Sequence, residues 1–593
     1  MSADTPAPDA SPLLVWAEDG SPRSGRFGDV YFSKEDGLAE SRAVFLAGCG
    51  LPQAWAGRGG FTVAELGFGT GLNIAALLDL WRREGPAVGR LHVFTVEGYP
   101  LTAAEAARAL SAWPELSEVA TALLAQWPDG TPGFHRIDLP DFRATVDVAI
   151  GEVEWALAEW AGRADAWFLD GFAPSTNPAM WSDAVMDRIA VRSAADARVA
   201  TFTVAGAVRR ALAERGFAVE KKPGHGRKRE RLEARRTGAA QAERAPPRVA
   251  VIGAGIAGAA VARALRAVGA EVSVVEAEGS GAGASGFPAS LVTPRLDAGD
   301  REIAALNAQA LRTAMAGYRE AGAVVAEGVL QLEQAPRDAG RFARIAGQAI
   351  WPEGAMTVLD ADACSARLGE PVVAGGLMMR DAGAIAPSRV LEAWLEGAAR
   401  VTARVAGLEP VDDGWRLVDG DGATVLEADA VVLAAGWGAA GLADLPLSPV
   451  RGQADWVEGV TTAPVAWGGY AVPTAAGLLF GATHERGETD VRVSDAASEK
   501  NRATVTARLP ALAAQVQDAT RRRAAIRATT PDRLPLAGAV PGRPGLHVLG
   551  GLGSRGFCHA PLLAQHVAAL ITGAPSPLPV ALAARVSPDR FST

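Results

Sequence analysis

The stretch VAVIGAGIAGAAVARAL, residues 249–265, reads as a buried strand, a glycine turn and a helix. Gly253, Gly255 and Gly258 form the spacing G-x-G-x-x-G, and Glu276 closes the next predicted strand at about the distance expected for a ribose-binding carboxylate. The spacing alone is a weak signal. Its place between a strand and a helix, followed by Glu276, makes it strong, and the second half of the chain is predicted to bind a dinucleotide.

Two further segments favour FAD over NAD, although NAD would satisfy the glycine motif equally well. Residues 546–568, LHVLGGLGSRGFCHAPLLAQHVA, predict another strand, glycine turn and helix that would close over an isoalloxazine ring and offer it backbone N–H groups. Residues 281–290, GAGASGFPAS, are small where backbone must approach the cofactor, and Ser285 is the candidate contact there.

A different glycine turn lies near the N-terminus, in VAELGFGTGLNIAAL at residues 63–77. Its form E-x-G-x-G-x-G fits S-adenosylmethionine better than a dinucleotide. An acidic residue at the end of the next strand is predicted to accept hydrogen bonds from the ribose hydroxyls. The cofactor candidates in this half are Glu65, Gly67, Gly69, Gly71 and Glu97.

Asp170 is the catalytic candidate of the first half. It lies in WFLDGFAPSTNPAMW, residues 167–181, at the carboxyl end of an apolar strand, where open α/β sheets bind ligands. Methyl transfer to an amine needs the nitrogen unprotonated and in line with the sulfonium, and a carboxylate beside it can take up the proton. The alternative is a structural turn, because Asp before Gly is common in turns.

The order of predicted elements gives the fold class, which is α/β. Strands and helices alternate through the first half and predict a Rossmann-like, doubly wound S-adenosylmethionine methyltransferase domain. In the second half, strands far apart in sequence would join one FAD-binding Rossmann sheet, with an inserted α+β substrate subdomain, as in flavin oxidoreductases of the amino-acid-oxidase type. The predicted domains are 1–236 (methyltransferase), 237–247 (linker) and 248–593 (oxidoreductase), the last divided into an FAD subdomain (248–300, 381–450, 531–593) and a substrate subdomain (about 301–380 and 451–530).

Bulk composition excludes several classes. The 593 residues are 49% hydrophobic and 21% charged, as in an ordinary globular protein. The three cysteines are far apart and support neither a disulfide framework nor a metal site. The N-terminus lacks the features of a secretory signal and no stretch is apolar over about 18 residues, so we expect a cytoplasmic protein without a membrane segment. A net charge of −9 leaves room only for a local nucleic-acid-binding face.

Taken together, the motifs resemble the MnmC family of bifunctional tRNA-modifying proteins over nearly the whole chain. The segments that carry the resemblance are GDVYFS (28–33), ELGFGTGLN (65–73), WFLDGFAP (167–174), ATFTVAGAVRRAL (200–212), GRKRE (226–230) and GGLGSRGFCHAPL (550–562). The resemblance implies that the FAD half removes the carboxymethyl group from carboxymethylaminomethyl-uridine at the tRNA wobble position. The other half would then methylate the resulting primary amine with S-adenosylmethionine.

The resemblance also implies site residues. Asp170 would lie at the amine, and the methyl-donor and FAD contacts would be those named above. It adds FAD contacts from the loop Gly551, Gly553, Ser554, Arg555 and Gly556. The chain departs from the family pattern at Thr176, where Lys is common, at residues 287–289, which are usually more polar, and at Ala384, which replaces a bulky aromatic residue.

A tRNA partner would explain the basic run Lys221 to Arg236, which has eight Lys or Arg against two Glu and would neutralise phosphates. The alternative is a solvated helix face. Arg521, Arg522 and Arg523 are candidates to extend this patch.

Two rival functions stay open, as does one catalytic role. The first rival is a small-molecule amine methyltransferase fused to a glycine- or sarcosine-type oxidase, and the second is a non-catalytic RNA-binding sensor of the two cofactors. An oxidase substrate with a carboxylate would need an arginine, for which Arg295, Arg451, Arg533 and Arg555 are candidates.

Overall fold

A computed structural model describes residues 13–18, 21–32, 36–226, 228–238, 245–519 and 521–592. The described chain divides into two compact units. The first contains the described residues up to Ala245 together with the segment 574–580, and the second contains 246–573 and the described residues from Ala581 onward.

The segment 574–580 differs from the sequence-based division, which placed all of 574–593 in the oxidoreductase domain. It belongs to the first unit. Within that unit Arg136 donates from Nη2 to the carbonyl oxygen of Pro575 at 3.0 Å, and Leu578 is fully buried. Sequence patterns gave no sign of this, because the segment lies more than 400 residues from Arg136.

The first unit is built around one large mixed sheet. Its strands are β1 Leu14–Trp16, β2 Pro22–Ser24, β3 Gly60–Leu66, β4 Arg90–Glu97, β5 Gly133–Leu139, β6 Ala144–Ile150, β7 Ala164–Leu169, β8 Ser193–Thr201, β9 Phe217–Pro223 and β10 Glu230–Arg236. Its α-helices are α1 Gly37–Ser41, α2 Leu72–Glu84, α3 Ala103–Leu110, α4 Ser117–Leu124, α5 Val153–Glu159, α6 Asp183–Val191 and α7 Gly206–Glu214. Strands β1 and β2 form a separate hairpin. The described strands of the large sheet run in the order β5-β6-β4-β3-β7-β8-β10-β9.

The centre of this sheet is parallel and covered by helices on both faces. Strands β6, β4, β3, β7 and β8 run parallel, so their side chains are buried on both faces and the strands read as apolar runs. The order reverses at β3, because β4 lies on one side of it and β7 on the other. A crevice therefore opens between the carboxyl ends of β3 and β7, which is where such folds bind ligands.

The basic run is a β-hairpin, and the helix alternative is wrong for its described residues. β9 and β10 pair antiparallel from Phe217 opposite Arg236 to Pro223 opposite Glu230. Leu232 and Ala234 are buried, while the charged residues that alternate with them are half-buried (Arg231 and Glu233) or exposed (Arg235). Arg227 lies outside the described residues.

The second unit combines a nucleotide-binding sheet with a larger antiparallel one. Its strands are β11 Arg248–Ile252, β12 Glu271–Glu276, β13 Ser290–Val292, β14 Val324–Leu332, β15 Met356–Leu359, β16 Gly376–Ile385, β17 Ala399–Thr402, β18 Gly407–Val411, β19 Gly414–Val418, β20 Thr424–Ala428, β21 Ala430–Leu433, β22 Ser448–Glu458, β23 Val465–Ala466, β24 Tyr470–Pro473, β25 Gly477–Gly481, β26 Glu485–Arg486, β27 Arg521–Thr529, β28 Leu536–Ala539 and β29 Leu546–Gly550. Its α-helices are α8 Ile256–Ala267, α9 Arg301–Glu320, α10 Arg337–Ala346, α11 Ala361–Leu368, α12 Pro387–Leu395, α13 Asp495–Thr506, α14 Pro510–Gln515, α15 Gly556–Thr572 and α16 Val580–Val586.

The nucleotide-binding sheet has the described order β17-β12-β11-β21-β29-β28. All of its neighbours are parallel except β28, which pairs antiparallel with β29 at the edge. The strands predicted to meet in one sheet thus do so. The larger sheet, from β13 to β27, forms the substrate subdomain, and a small sheet of β18, β19 and β20 lies between β17 and β21 in the chain. The α/β fold class is confirmed.

The subdomain bounds differ in detail from the sequence-based ones. β13 and the whole of β16 pair within the substrate sheet, although the division placed the first and half of the second in the FAD subdomain. Conversely, α9 packs on α15 beside the nucleotide sheet, and Tyr318 donates from its hydroxyl to the carbonyl oxygen of Phe557 at 2.6 Å. The division assigned α9 to the substrate subdomain because its amphipathic pattern does not say which sheet it covers. No described helix is long and apolar enough to cross a bilayer.

Candidate active sites

The first unit contains a cavity of about 700 Å³ at the carboxyl ends of its central strands. Gly67 and Gly69 from the turn after β3, Glu97 from the end of β4 and Asp170 from the end of β7 all line it. Four of the six residues that the sequence singled out in this half therefore meet at one crevice. The other two, Glu65 and Gly71, are not among the residues that line it.

The glycine turn has this sequence because its backbone needs it. Gly67 has φ +104°, and a Cβ atom there would lie 2.5 Å from the carbonyl oxygen of Asp170. Gly71 has φ +76° and begins α2, so its role is to turn the chain rather than to line the cavity. The glycines bring the loops after β3 and β7 together and leave backbone N–H groups at the start of α2 facing the crevice.

Glu97 holds the glycine turn in place. One carboxylate oxygen accepts a hydrogen bond from the backbone N–H of Gly69 at 2.8 Å, and the other accepts from that of Tyr99 at 2.8 Å. The backbone N–H of Gly98 also bonds this carboxylate, and since a carboxylate has about four acceptor positions, one is left for a ribose hydroxyl. Burial raises the pKa of Glu97, and these N–H donors oppose that rise.

Asp170 is held by Asn73, which donates from Nδ2 to its Oδ2 at 2.6 Å. Asn73 lies in the first turn of α2 and was not singled out from the sequence. Burial raises the pKa of Asp170 to about 7, while the hydrogen bond from Asn73 and the charge of Lys228 pull it down. A carboxylate whose pKa lies near neutrality is suited to general-base catalysis.

Glu65 lies behind the cavity rather than in it. It is 1% exposed, and Thr95 donates from its hydroxyl to Oε2 at 2.7 Å. Burial raises the pKa of Glu65 well above its ordinary value, and the negative charge of Asp170 adds to the rise. Direct contact between Glu65 and the methyl donor is therefore not supported by this geometry.

The segment after Asp170 folds over the cavity. Phe172, Asn177 and Met180 line it, and Trp181 donates from Nε1 to the carbonyl oxygen of Phe172 at 2.9 Å. Thr176, where the family pattern often has Lys, lies outside the lining. Aromatic rings complete the wall, with centroids of Phe172 and Tyr31 5.6 Å apart.

The second unit contains a cavity of about 960 Å³ between its two main sheets. All of the FAD-contact residues named from the sequence line it, apart from Gly258. These are Gly253, Gly255, Glu276, Ser285, Gly551, Gly553, Ser554, Arg555 and Gly556.

Gly258 has a different role in the motif. A Cβ atom on Gly258 would lie 1.8 Å from the carbonyl oxygen of Gly253, so only glycine lets α8 pack against the turn after β11. Gly253 has φ +108°, and a Cβ there would lie 2.6 Å from the carbonyl oxygen of Ala434, which follows β21. As in the first unit, glycines draw together the two loops that flank the reversal of strand order.

Glu276 repeats the arrangement of Glu97. It accepts a hydrogen bond from the backbone N–H of Ala254 at 2.8 Å through Oε2 and from that of Ala277 at 2.8 Å through Oε1. Ser285 accepts at Oγ from the backbone N–H of Ile256 at 3.0 Å and so caps the start of α8. The strand-end carboxylate, the open backbone and the helix N-terminus together fit the ribose and pyrophosphate of FAD.

The four arginines considered as partners of a substrate carboxylate differ in whether they line this cavity. Of these four, only Arg555 lines the cavity. Arg451 is buried in a structural network with Glu485 and the carbonyl oxygen of Asp490, Arg533 is exposed, and Arg295 is not among the lining residues.

Arg527 on β27 is the arginine that sequence reasoning missed. It lines the cavity with Tyr470 and His484, and donates from Nη2 to the carbonyl oxygen of Thr483 at 3.1 Å. It has no carboxylate partner among the described residues, and burial lowers its pKa. A half-buried guanidinium without a carboxylate partner can bind an anionic substrate.

The arginines next to it in β27 are already engaged. Arg521 pairs with Glu458 at 2.8 Å, Arg522 pairs with Asp495, and Arg523 donates to carbonyl oxygens of the 281–283 loop. Arg523 thus joins the substrate sheet to the 281–283 loop, while Arg521 and Arg522 form ion pairs at the surface.

Of the two departures from the family pattern in the second unit, the one at residues 287–289 falls at the cavity. Phe287 and Ala289 line it. Ala384 is fully buried in the core of the substrate sheet and Cys558 is 1% exposed, and neither is among the lining residues. No described group of three or more Cys, His, Asp or Glu side chains is arranged to hold a metal ion.

Comparison with known proteins assigns a cofactor to each unit. Residues 248–570 match the family model described as FAD dependent oxidoreductase, and residues 114–237 match that described as S-adenosyl-L-methionine-dependent methyltransferase. The second unit accordingly uses FAD and the first uses S-adenosylmethionine. Among solved structures, L-proline dehydrogenase from P. horikoshii is similar in fold, with a TM-score of 0.50 and 19% identity, and covers 58% of this chain and 98% of its own. Glycine oxidase from Geobacillus kaustophilus has 25% identity and a TM-score of 0.49, covering 57% of this chain and 98% of its own.

The similarity to curated proteins extends over the whole chain. A tRNA 5-methylaminomethyl-2-thiouridine biosynthesis bifunctional protein MnmC from Caulobacter sp. (strain K31) is 56% identical, covering 99% of this chain and 98% of its own. The protein of the same name from Caulobacter vibrioides is 54% identical with the same coverage, and that from Maricaulis maris is 44% identical over 98% of this chain and 96% of its own. The chain therefore belongs to the MnmC family of bifunctional tRNA 5-methylaminomethyl-2-thiouridine biosynthesis proteins.

Proposed function

We propose that this protein carries out two consecutive steps on the wobble uridine of tRNA. The second unit removes the carboxymethyl group from carboxymethylaminomethyl-(2-thio)uridine, and the first unit then methylates the exposed aminomethyl group. The proposal is supported above all by one observation. The single chain contains two separate cavities, one in the unit that uses FAD and one in the unit that uses S-adenosylmethionine, and most of the candidate residues for each coenzyme line the cavity of their unit.

In the oxidative step, FAD supplies the acceptor for a hydride from the carbon between the nitrogen and the carboxylate. Hydrolysis of the resulting imine would leave the primary amine on the base and glyoxylate as the second product. Arg527 is placed to bind the substrate carboxylate, because it lines the cavity and lacks a carboxylate partner among the described residues. Tyr470 and His484 line the same cavity and would flank that carboxylate. Ser285 and Glu276 would hold the FAD.

In the transfer step, S-adenosylmethionine supplies the methyl group. Asp170 would accept the proton that the amine must lose, and Asn73 would keep the carboxylate oriented through its 2.6 Å hydrogen bond. Gly67, Gly69 and Glu97 would hold the methyl donor, with Gly71 shaping the turn. Glu65 would support the turn without contacting the methyl donor, because it lies behind the cavity and accepts a hydrogen bond from Thr95.

The β9–β10 hairpin is the proposed tRNA contact. Several of its charges are already paired at the surface, among them Lys221 with Glu230 at 2.7 Å and Lys222 with Glu220 at 2.6 Å. Such exposed pairs are worth little, so phosphates can compete for the cations. A tRNA substrate would also place the protein in the cytoplasm.

Mass spectrometry of wobble uridines tests the proposal. Cells lacking the protein should accumulate the carboxymethylaminomethyl form and lose the methylaminomethyl form. Purified protein with FAD and S-adenosylmethionine should restore the methylaminomethyl form in tRNA from these cells. Unchanged nucleosides, together with oxidation of free glycine or sarcosine, would instead support the small-molecule rival. Unchanged nucleosides together with a wild-type phenotype for Asp170→Ala would support the non-catalytic sensor.

A further inference from the structure

Lys228, in the turn between β9 and β10, contacts two side chains outside the hairpin. Its Nζ lies 2.8 Å from Oε1 of Glu40 on α1 and 3.9 Å from the ring centroid of Phe202, which follows β8. The contact with Glu40 spans 188 residues of sequence. Lys228 thus ties the basic turn to two other elements of the first unit, whereas Lys221 and Lys222 pair only within the hairpin.

All three members of this contact lie in the methyl-transfer cavity. Lys228, Glu40 and Phe202 line it, and so does Asp170. The side chain of Glu40 is only 13% exposed and that of Lys228 is 45% exposed, so the ion pair joins a largely buried carboxylate to a partly exposed lysine and is partly screened by water. The aromatic face under the ammonium adds a further attraction.

We propose that Lys228 is a positioning residue for the methyl-transfer step, in which its ammonium, fixed by Glu40 and Phe202, supplies the positive charge that faces Asp170 in the cavity. This inference rests on the proposed function of that cavity. It separates Lys228 from the rest of the basic run, whose charges are proposed to meet tRNA phosphates.

The charges that face Asp170 come from several elements. Burial raises the pKa of Asp170 most, the hydrogen bond from Asn73 and then the charge of Lys228 lower it, and Glu40 and Asp29 raise it by like-charge repulsion. Arg23 and His225 also line the cavity, but among the groups that act on the pKa of Asp170 Lys228 is the positive one. It therefore keeps a larger fraction of Asp170 ionised near neutrality, and an ionised Asp170 is the form that can accept a proton from the substrate amine.

The pH dependence of methyl transfer tests this role. The comparison is between the whole wild-type protein and Lys228→Met, which keeps the aliphatic stem, with aminomethyl-uridine tRNA as substrate. The value of kcat/KM reports the free enzyme and free substrate, so the ionisation of the substrate in solution is the same for both proteins. We expect the ratio of kcat/KM at pH 6.5 to that at pH 9 to fall about threefold to tenfold in the variant, because a pKa change of one unit changes the rate about tenfold on this limb.

Two further variants separate positioning from tRNA affinity. Lys228→Arg keeps the charge, so the acid limb, which is the fall of kcat/KM at low pH, should return to near the wild-type pH. Lys221→Met removes an equal charge from the same hairpin away from the cavity, and should weaken tRNA binding without moving the limb. An acid limb of Lys228→Met at the wild-type pH would overturn the inference. If the wild-type protein transferred no methyl group to this tRNA, the proposed function itself would fail.

Discussion

Replacement of Asp170 by Asn should abolish methyl transfer and at the same time stabilise the first unit at neutral and higher pH. Asn has nearly the same shape and can still accept the hydrogen bond from Asn73. It cannot accept a proton as a base, and removal of a general base typically costs about 10² to 10⁴ in rate. Binding of S-adenosylmethionine should change little, because the donor is held chiefly by the glycine turn and Glu97.

The stability change follows from the raised pKa of Asp170. Its folded-state pKa is about 7 against an ordinary 3.8, so between about pH 4 and pH 7 the carboxyl ionises in the unfolded state but stays protonated in the cavity, and the free energy of unfolding falls as the pH rises. The neutral amide of the Asp170→Asn variant carries no such penalty. Between pH 5.5 and pH 8.5 the variant should therefore gain up to about 2 kcal/mol over wild type, with water in the cavity reducing the gain.

Thermal unfolding of both proteins at several pH values would measure this effect. For a unit of this size, about 2 kcal/mol corresponds to about 4 °C or more in Tm. The difference in Tm should increase up to pH 7 and stay constant above it. A difference that is independent of pH would refute the assignment of a neutral pKa to Asp170, and a variant that still transfers methyl groups at near wild-type rate would refute its role as the base.

Two predictions concern the second unit. Gly258→Ala should purify with little bound flavin, because its Cβ would lie 1.8 Å from the carbonyl oxygen of Gly253 and push α8 away from the turn. The flavin absorbance per protein measures this, and full absorbance would contradict the prediction. Methyl transfer should persist and serves as the internal control. Arg527→Met should raise KM for the carboxymethylated substrate about 10-fold to 200-fold, since a charge-assisted hydrogen bond contributes about 1.5 to 3 kcal/mol. Arg527→Lys should recover part of this loss in steady-state kinetics, and an unaltered KM would exclude the carboxylate contact.

The parts of the molecule whose structure depends on local sequence could be predicted from that sequence. The glycine turns at Gly67 and Gly253 are short-range patterns, since each needs a positive φ directly after a buried strand. The strand ends at Glu97, Asp170 and Glu276 follow from the same alternation. For this reason both nucleotide folds and their cofactors could be predicted, and the family comparison confirms them.

The parts that depend on pairing of distant segments were not accessible. Arg527 enters the second cavity because β27 pairs with β22, placing Arg527 opposite Val450, and nothing in the local sequence sets that register. The contact of Lys228 with Glu40 likewise joins segments far apart. The basic run was hard to recognise as a hairpin because only Leu232 and Ala234 reveal its inward face.

Residues 574–580 lie within the oxidoreductase half of the sequence but belong to the first unit, and this matters for any attempt to divide the gene. A cut at the connector between the two enzymes would yield a first polypeptide without Leu578 and without Pro575, whose carbonyl oxygen is one of the acceptors of Arg136 beside Asp147. Two separately expressed proteins would keep the native surroundings of Arg136 only if this short peptide were grafted onto the methyltransferase, for instance as a C-terminal tail. The order of coding sequence and the order of folding units are thus different in this protein.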